Sequence, residues 1–148
     1  MQISQDFLPY EHKTLILVCD NAHAKLYQAF GREFNFVEEI KNDRIKLDDI
    51  ERYATQTGGG ILSKIEDEDF KEREAKTFYK KLAQMLSDRK DAEEWKLILV
   101  VPQEDKNVIL DLLQNDVKQS LVHVIEKQPP KLPDDQLIKF IDNERRIT

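Results

Sequence analysis

Two segments built around continuous apolar runs constrain the fold of this chain more than any other feature. They are "KTLILVCD", at Lys13 to Asp20, and "WKLILVVP", at Trp95 to Pro102. Neither alternates polar with apolar residues, so we expect both faces of each segment to be buried. Strands of this kind lie in the middle of a sheet that is covered on both sides, which predicts an α/β protein.

The first forty residues predict an antiparallel three-strand meander. "HAKLYQAF" follows the turn pair Asp20-Asn21, and "EFNFVEEI" follows a second tight connection at Gly31-Arg32. We expect side chains to alternate between the two faces in the third strand and in "SLVHVIEK", which is interpreted as an outer strand. That alternation places Phe34, Phe36 and Glu38 on one face of the third strand, and it places Leu121, His123 and Ile125 on one face of "SLVHVIEK".

Three amphipathic segments predict helices. The first helix starts near Asp67 to Asp69 and runs to about Asp88, or as far as Trp95. The second covers 103–116. The third follows Pro133. The side chains expected to be buried are Phe70, Ala75, Phe78, Leu82, Met85 and Leu86 in the first helix, Val108, Ile109, Leu112 and Leu113 in the second, and Leu137, Ile138 and Ile141, with Phe140 beside them, in the third.

This order of elements predicts one α/β domain over residues 1–148. Its mixed five-strand sheet combines the antiparallel three-strand meander with two parallel strands, and helices flank it, as in a ribonuclease-H-like fold. Residues 41–69 lose the apolar period and are predicted to form a long mobile loop inside the domain.

Composition narrows the classes of function. The formal net charge of −6 argues against sequence-independent nucleic-acid binding, and we expect no DNA partner. The first residues lack the pattern of a secretory signal, and the longest apolar run is far short of a membrane span, so we expect a cytoplasmic protein. The single cysteine, Cys19, lies in a buried strand and is interpreted as a core residue.

No metal, cofactor or nucleophile pattern stands out. A metal nuclease would need further carboxylates near Asp20, and Glu38 and Glu39 cannot be shown to converge on it, so Asp20 is interpreted as a turn residue. Metal-ligand spacing is absent among the three histidines, which are His12, His23 and His123. The basic residues Lys71, Arg73, Lys76, Lys80 and Lys81 are interpreted as a solvated helix face balanced by Glu72 and Glu74.

Three of the four glycines stand together at Gly58, Gly59 and Gly60. A phosphate-binding loop would need a preceding strand and a Lys-Ser or Lys-Thr pair, whereas Ser63-Lys64 has the reverse order. A flexible loop tip is the alternative, because glycine turns at little steric cost. The candidate partner-binding residues are Gln56, Thr57, Gly58, Gly59, Gly60 and Lys64.

Several segments resemble the bacterial host attachment family, whose members are named as required for attachment to host cells. They are "LILVCDNAHAKLYQ", "FVEEI", "FYKKLAQML" before "KLILVVP", and "VIEKQPPKLPDDQLIKFI" at the end. That family is similar in turn to the middle domain of archaeal and eukaryotic class I release factors. There, a Gly-Gly-Gln on a mobile loop before the long helix helps water to hydrolyse peptidyl-tRNA.

The resemblance implies a role in translation and leaves two classes of function open. Gly60 stands where the catalytic glutamine would be, and Gln56 precedes the glycines. We therefore expect a non-enzymatic interaction protein that contacts the ribosome or tRNA through the Gly58–Gly60 loop. The alternative is a variant peptidyl-tRNA hydrolase in ribosome rescue.

Overall fold

The computed structural model describes residues 1–42, 61–90, 95–126 and 133–147, with side chains of the long helix described from Glu72 to Arg89. These residues form one five-strand sheet with helices on both faces. None of the described helices is both long and apolar enough to cross a membrane.

The sheet has the predicted mixed topology. Its spatial order is β3-β2-β1-β4-β5, with antiparallel pairing of β1 to β2 and β2 to β3, and parallel pairing of β1 to β4 and β4 to β5. The buried segments β1 and β4 are adjacent in the middle, as their continuous apolar runs predicted. The strands are β1 (Tyr10–Cys19), β2 (His23–Gly31), β3 (Glu33–Lys41), β4 (Lys96–Val101) and β5 (Leu121–Glu126).

Both predicted turns of the meander are confirmed. Gly31 connects β2 to β3 with a φ of +60°, a left-handed conformation that favours glycine. Asp20 makes the other turn, where its Oδ1 accepts hydrogen bonds from the backbone N–H groups of Ala22 (2.8 Å) and His23 (2.7 Å).

The predicted helix boundaries need two corrections. The long helix begins at Ile61, directly after Gly60, and not near Asp67 to Asp69. Its first residues contain no glycine or proline, so nothing in the chain prevents an earlier start. Residues 61–69 of the predicted loop are therefore helical, and 43–60 lie outside the described residues.

The segment 103–116 is broken rather than continuous, because Leu113 adopts an extended conformation with ψ of 141°. The side chains of Ile109 and Leu113 are buried, as predicted. Val108 is exposed, contrary to expectation. The helices are α1 (Ile61–Lys90), a 3-10 turn (Gln103–Asp105), α2 (Lys106–Leu112), α3 (Asn115–Gln119) and α4 (Asp134–Ile147).

The two edge strands carry irregularities that overturn their predicted alternation. Tyr27 of β2 pairs with Phe36 of β3, but the preceding Leu26 pairs with Glu38. One extra residue in β3 therefore interrupts the alternation and places Glu38 on the other face of the sheet. On β5, a shift between Leu97 and Ile98 of β4 separates Leu121 from His123 and Ile125 in the same way. Phe36 is half exposed as a result of its edge position.

Two hydrophobic cores lie on opposite faces of the sheet. The α1 face packs α1, α2 and α3 against alternate residues of the central strands, including Leu15, Leu17, Leu97 and Leu99. The predicted Phe78, Leu82 and Leu86 are buried there, with Ala75 and Met85 partly buried; Tyr79 and Ala83 are buried too, and the periodicity did not identify them.

On the opposite face, which we call the α4 face, Ile16, Val18, Ile98 and Val100 pack against α4. Its predicted contacts are confirmed: Leu137, Ile138 and Ile141 are buried, with Phe140 packed beside them.

Residues 1–9 form an N-terminal segment that binds the last turns of α4. The Leu8 N–H donates to Asp142 Oδ1 at 2.8 Å, and Arg146 donates to the Asp6 carbonyl at 2.8 Å and to Asp142 Oδ2 at 2.7 Å. Arg145 donates to the carbonyls of Leu8 (3.0 Å) and Pro9 (2.9 Å). We call this set of contacts the terminal clamp.

Candidate functional site

The glycine segment predicted as a partner-binding loop immediately precedes α1. Gln56, Thr57, Gly58, Gly59 and Gly60 lie outside the described residues, as does the side chain of Lys64 within α1. Their role as a contact surface therefore remains a prediction. The described structure defines how α1, the helix that follows them, is attached to the sheet.

Asn42, just after β3, attaches α1 through its amide group. Its Nδ2 donates to the carbonyls of Asn21 (3.1 Å) and Glu74 (3.3 Å), and its own N–H donates to the Ala22 carbonyl at 2.8 Å. Asn42 is buried, so these bonds also satisfy polar atoms that water cannot reach. The end of β3, the first turn of the sheet and the backbone of α1 are thereby held together.

A second attachment lies one turn further along α1. The Tyr79 hydroxyl donates to Asp105 Oδ2 at 2.6 Å, at the point where the chain leaves β4. Tyr79 is fully buried. Burial, followed by this hydrogen bond, raises the pKa of Tyr79 far above its ordinary value, so the tyrosine remains a neutral donor at physiological pH. The bond fixes the position of α1 along the sheet.

Asp20 forms the turn between β1 and β2. Its carboxylate is occupied by the turn, and Glu38 lies on β3, where its Oε1 accepts a 2.7 Å hydrogen bond from Arg89 of α1. Among the described residues no group of three or more histidine, cysteine, aspartate or glutamate side chains is arranged to hold a metal ion. The interpretation of Asp20 as a turn residue is confirmed.

Cys19 is also a core residue, as predicted. It is buried beneath α1, and burial raises the pKa of its thiol far above its ordinary value, with Asp20 and Asp105 adding to the effect. A thiol held neutral in this way is a poor nucleophile.

Sequence reasoning did not foresee that two of the histidines share a cavity. His12 and His123 line a cavity of about 250 Å³ at the start of β1 and β4, together with Lys96 and Arg145. The guanidinium of Arg145 lies 3.8 Å from the centroid of the Tyr10 ring. Burial and then Arg145 lower the pKa of His123, so this cavity favours a neutral imidazole.

The family comparison agrees with the architecture around α1. A family model described as bacterial archaeo-eukaryotic release factor family 12 matches residues 13–141, which include the sheet, α1 and most of α4. No curated protein matches the sequence. The match supports the release-factor part of the resemblance, and neither comparison supports the host attachment name. Since the matched range spans most of its length, the chain belongs to bacterial archaeo-eukaryotic release factor family 12.

Proposed function

We propose that this protein acts in translation as a non-enzymatic protein that binds the ribosome through the segment Gln56–Gly60. Family membership carries the proposal, because the family is defined by its relation to release factors. The chain order supports it, since the three glycines end at the residue before a 30-residue helix. Ribosome binding would place the activity in the cytoplasm.

The attachment of α1 to the sheet supports a role for this helix in holding the glycine segment toward a partner. Asn42 and Asp105 hold the helix at Glu74 and Tyr79, and residues 61–73 of α1 precede these two described attachments. At about 1.5 Å per residue, a straight helix places Ile61 about 20 Å from Glu74. A loop joined to that end would reach a partner well away from the body of the domain.

The absence of the catalytic amide favours binding without hydrolysis. The resemblance places a glutamine at the position of Gly60, and glycine has no side chain with which to orient a water molecule. Gln56 lies on the other side of the glycines. Contacts from Lys64 and from the backbone N–H groups of the glycine segment to phosphate would be a binding role.

The test measures ribosome co-sedimentation and peptidyl-tRNA release with the same preparations. A Gly58→Ala/Gly59→Ala/Gly60→Ala variant removes the conformational freedom of the segment. The matched control replaces three exposed residues elsewhere, Gln119→Ala/Gln136→Ala/Asn143→Ala. We expect wild type and control to co-sediment, the glycine variant to lose at least 10-fold in binding, and none of the three to release peptide.

A variant peptidyl-tRNA hydrolase is the second candidate, favoured by the same family match. Ribosome-dependent release by the wild type that disappears in the glycine variant and persists in the control would establish it and refute the non-enzymatic proposal. If the wild type neither co-sediments nor releases peptide, both candidates fail.

A further inference from the structure

The outer surface of α1 has an unusual composition for so acidic a chain. Between positions 73 and 84, every exposed side chain is either basic or a neutral hydrogen-bond donor. The one carboxylate within these positions, Glu74, is half-buried, and the exposed Glu72 and Asp88 flank the run, in a chain with 29 acidic and 23 basic residues. We call the exposed residues of this run the basic stripe: Arg73, Lys76, Thr77, Lys80, Lys81 and Gln84.

The spacing of the basic stripe places it on one side of the helix. Arg73, Lys76 and Lys80 follow the i, i+3, i+7 pattern of neighbouring side chains, on the side opposite the buried Phe78 and Leu82. At about 1.5 Å per residue the stripe is about 17 Å long. It begins beside Glu74, where α1 is attached to the sheet, and it therefore belongs to the anchored part of the helix.

The lysines of the stripe are not used by the fold. Within the described part of the chain, Lys76, Lys80 and Lys81 form no ion pair. Of the two glutamates expected to balance this face, Glu74 is half-buried where its backbone carbonyl meets Asn42, whereas Glu72 is exposed beside the start of the stripe. Three ammonium groups therefore stand close together, and an anionic partner would relieve their mutual repulsion.

We propose that the basic stripe binds the phosphodiester backbone of RNA. The four basic side chains of the stripe can each donate hydrogen bonds to phosphate. The two neutral members also bond within α1, because the Thr77 hydroxyl donates to the Arg73 carbonyl at 2.9 Å and the Gln84 amide donates to Asp88 at 2.9 Å. The inference deepens the proposed function, on which it rests for the choice of RNA over other polyanions. The net charge of −6 opposes binding elsewhere on the surface, so the stripe gives a defined orientation rather than general affinity.

The test uses purified protein and a fluorescently labelled 16-base-pair RNA duplex, with anisotropy measured between 50 and 200 mM salt. Lys76→Gln/Lys80→Gln/Lys81→Gln removes three charges from the stripe. The control removes three exposed lysines from other elements, Lys41→Gln/Lys118→Gln/Lys139→Gln. Each variant changes the formal net charge from −6 to −9, since each loses three positive charges.

We expect the stripe variant to bind the duplex at least 10-fold more weakly at 50 mM salt. The slope of log affinity against log salt concentration should be shallower by about 2 to 3, because each lost phosphate contact reduces the slope by just under one. The affinity of the control variant for the duplex should remain within two-fold of that of the wild type. Equal losses in both variants, or no loss in the stripe variant, would overturn the inference.

A poly-glutamate peptide distinguishes RNA from an acidic protein partner. Binding of the peptide as tight as that of RNA, and lost with the stripe, would assign the surface to acidic protein instead. Because the RNA assay contains no ribosome, its outcome is separate from the co-sedimentation test. Retained RNA binding in the stripe variant refutes this inference alone, whereas absent ribosome binding by the wild type refutes the proposed function alone.

Discussion

The two faces of the sheet are covered in different ways. On the α1 face, the long helix packs through an apolar stripe and two hydrogen-bonded attachments, and its outer surface is exposed and basic. On the α4 face, the shorter helix is joined to the N-terminal segment by the charged side chains of Asp142, Arg145 and Arg146. Among the described residues, Lys76, Lys80 and Lys81 of α1 form no ion pair, whereas the charged side chains at the end of α4 bind the N-terminal segment.

The range matched by the family model includes the attachments of α1 and excludes most of the terminal clamp. Residues 13–141 contain the whole of α1 and its attachments. The N-terminal segment precedes that range, and Asp142, Arg145 and Arg146 follow it. The terminal clamp therefore lies largely outside the matched range, and substitutions there should alter stability without altering the α1 surface.

The largest effect is expected from the apolar contact of α1. Leu82→Ala removes a fully buried side chain and should lower the free energy of unfolding by about 3 kcal/mol, as large-to-small core substitutions do. Urea denaturation followed by circular dichroism measures the change. Gln84→Ala, exposed on the same helix, is the control. A loss below about 1 kcal/mol would mean that α1 is not held by its apolar stripe.

The terminal clamp should give the next effect. Asp142→Ala leaves the Leu8 N–H and Arg146 without their acceptor, and we expect a loss of about 2 kcal/mol in the free energy of unfolding. The neighbouring exposed Asn143→Ala should change it little. Limited proteolysis should cut the N-terminal segment faster in the Asp142 variant. Equal cleavage rates in the two variants would contradict the clamp.

Each face also contains one tyrosine–aspartate hydrogen bond, which allows a direct comparison. Tyr79 bonds Asp105 at 2.6 Å on the α1 face, and Tyr27 bonds Asp134 at 3.0 Å on the α4 face. Tyr79→Phe should lower the free energy of unfolding by about 1 kcal/mol. We expect Tyr27→Phe to cost less, because its hydrogen bond is longer. The reverse order in thermal unfolding would show that α4 depends more on its polar contact.

The smallest effect should appear as a pH dependence of the α4 face. Burial, with Arg145 adding to it, lowers the pKa of His123 below the ordinary 6.5, so the unfolded chain takes up this proton at a higher pH than the folded protein does. Stability should therefore decrease as the pH falls through 6.5, until the lowered pKa of the folded state is passed.

Urea midpoints between pH 7.5 and 5 measure this dependence, with His123→Gln as the comparison. The variant should show a shallower pH dependence than the wild type, because it lacks the titrating group. Identical slopes in the two proteins would show that His123 does not contribute.

The fold could be predicted from the sequence where the signal is local. The apolar runs of β1 and β4 defined the centre of the sheet, and Gly31 and Asp20 defined the turns. The alternation of β3 and β5 failed because an irregularity depends on register with a neighbouring strand. The predicted buried side chains of α1 did not include Tyr79, because its buried hydroxyl needs Asp105 from a distant part of the chain.

The candidate site was predictable to the same limited degree. The position of the glycines before a long helix follows from the order of elements, whereas the start of that helix at Ile61 does not. The basic residues of α1 were recognised but interpreted as balanced by Glu72 and Glu74. The half-burial of Glu74 becomes apparent only when Asn42 is seen beside its carbonyl.

The terminal clamp has a consequence for the order of events during synthesis. Leu8 is 134 residues from Asp142, and Asp6 is 140 residues from Arg146. The N-terminal segment leaves the ribosome well before α4, and it gains its α4 partners only when almost all of the described chain has been made. At a translation rate of about 5–20 residues per second, those contacts wait at least about 7 seconds, and they are among the last native contacts to form.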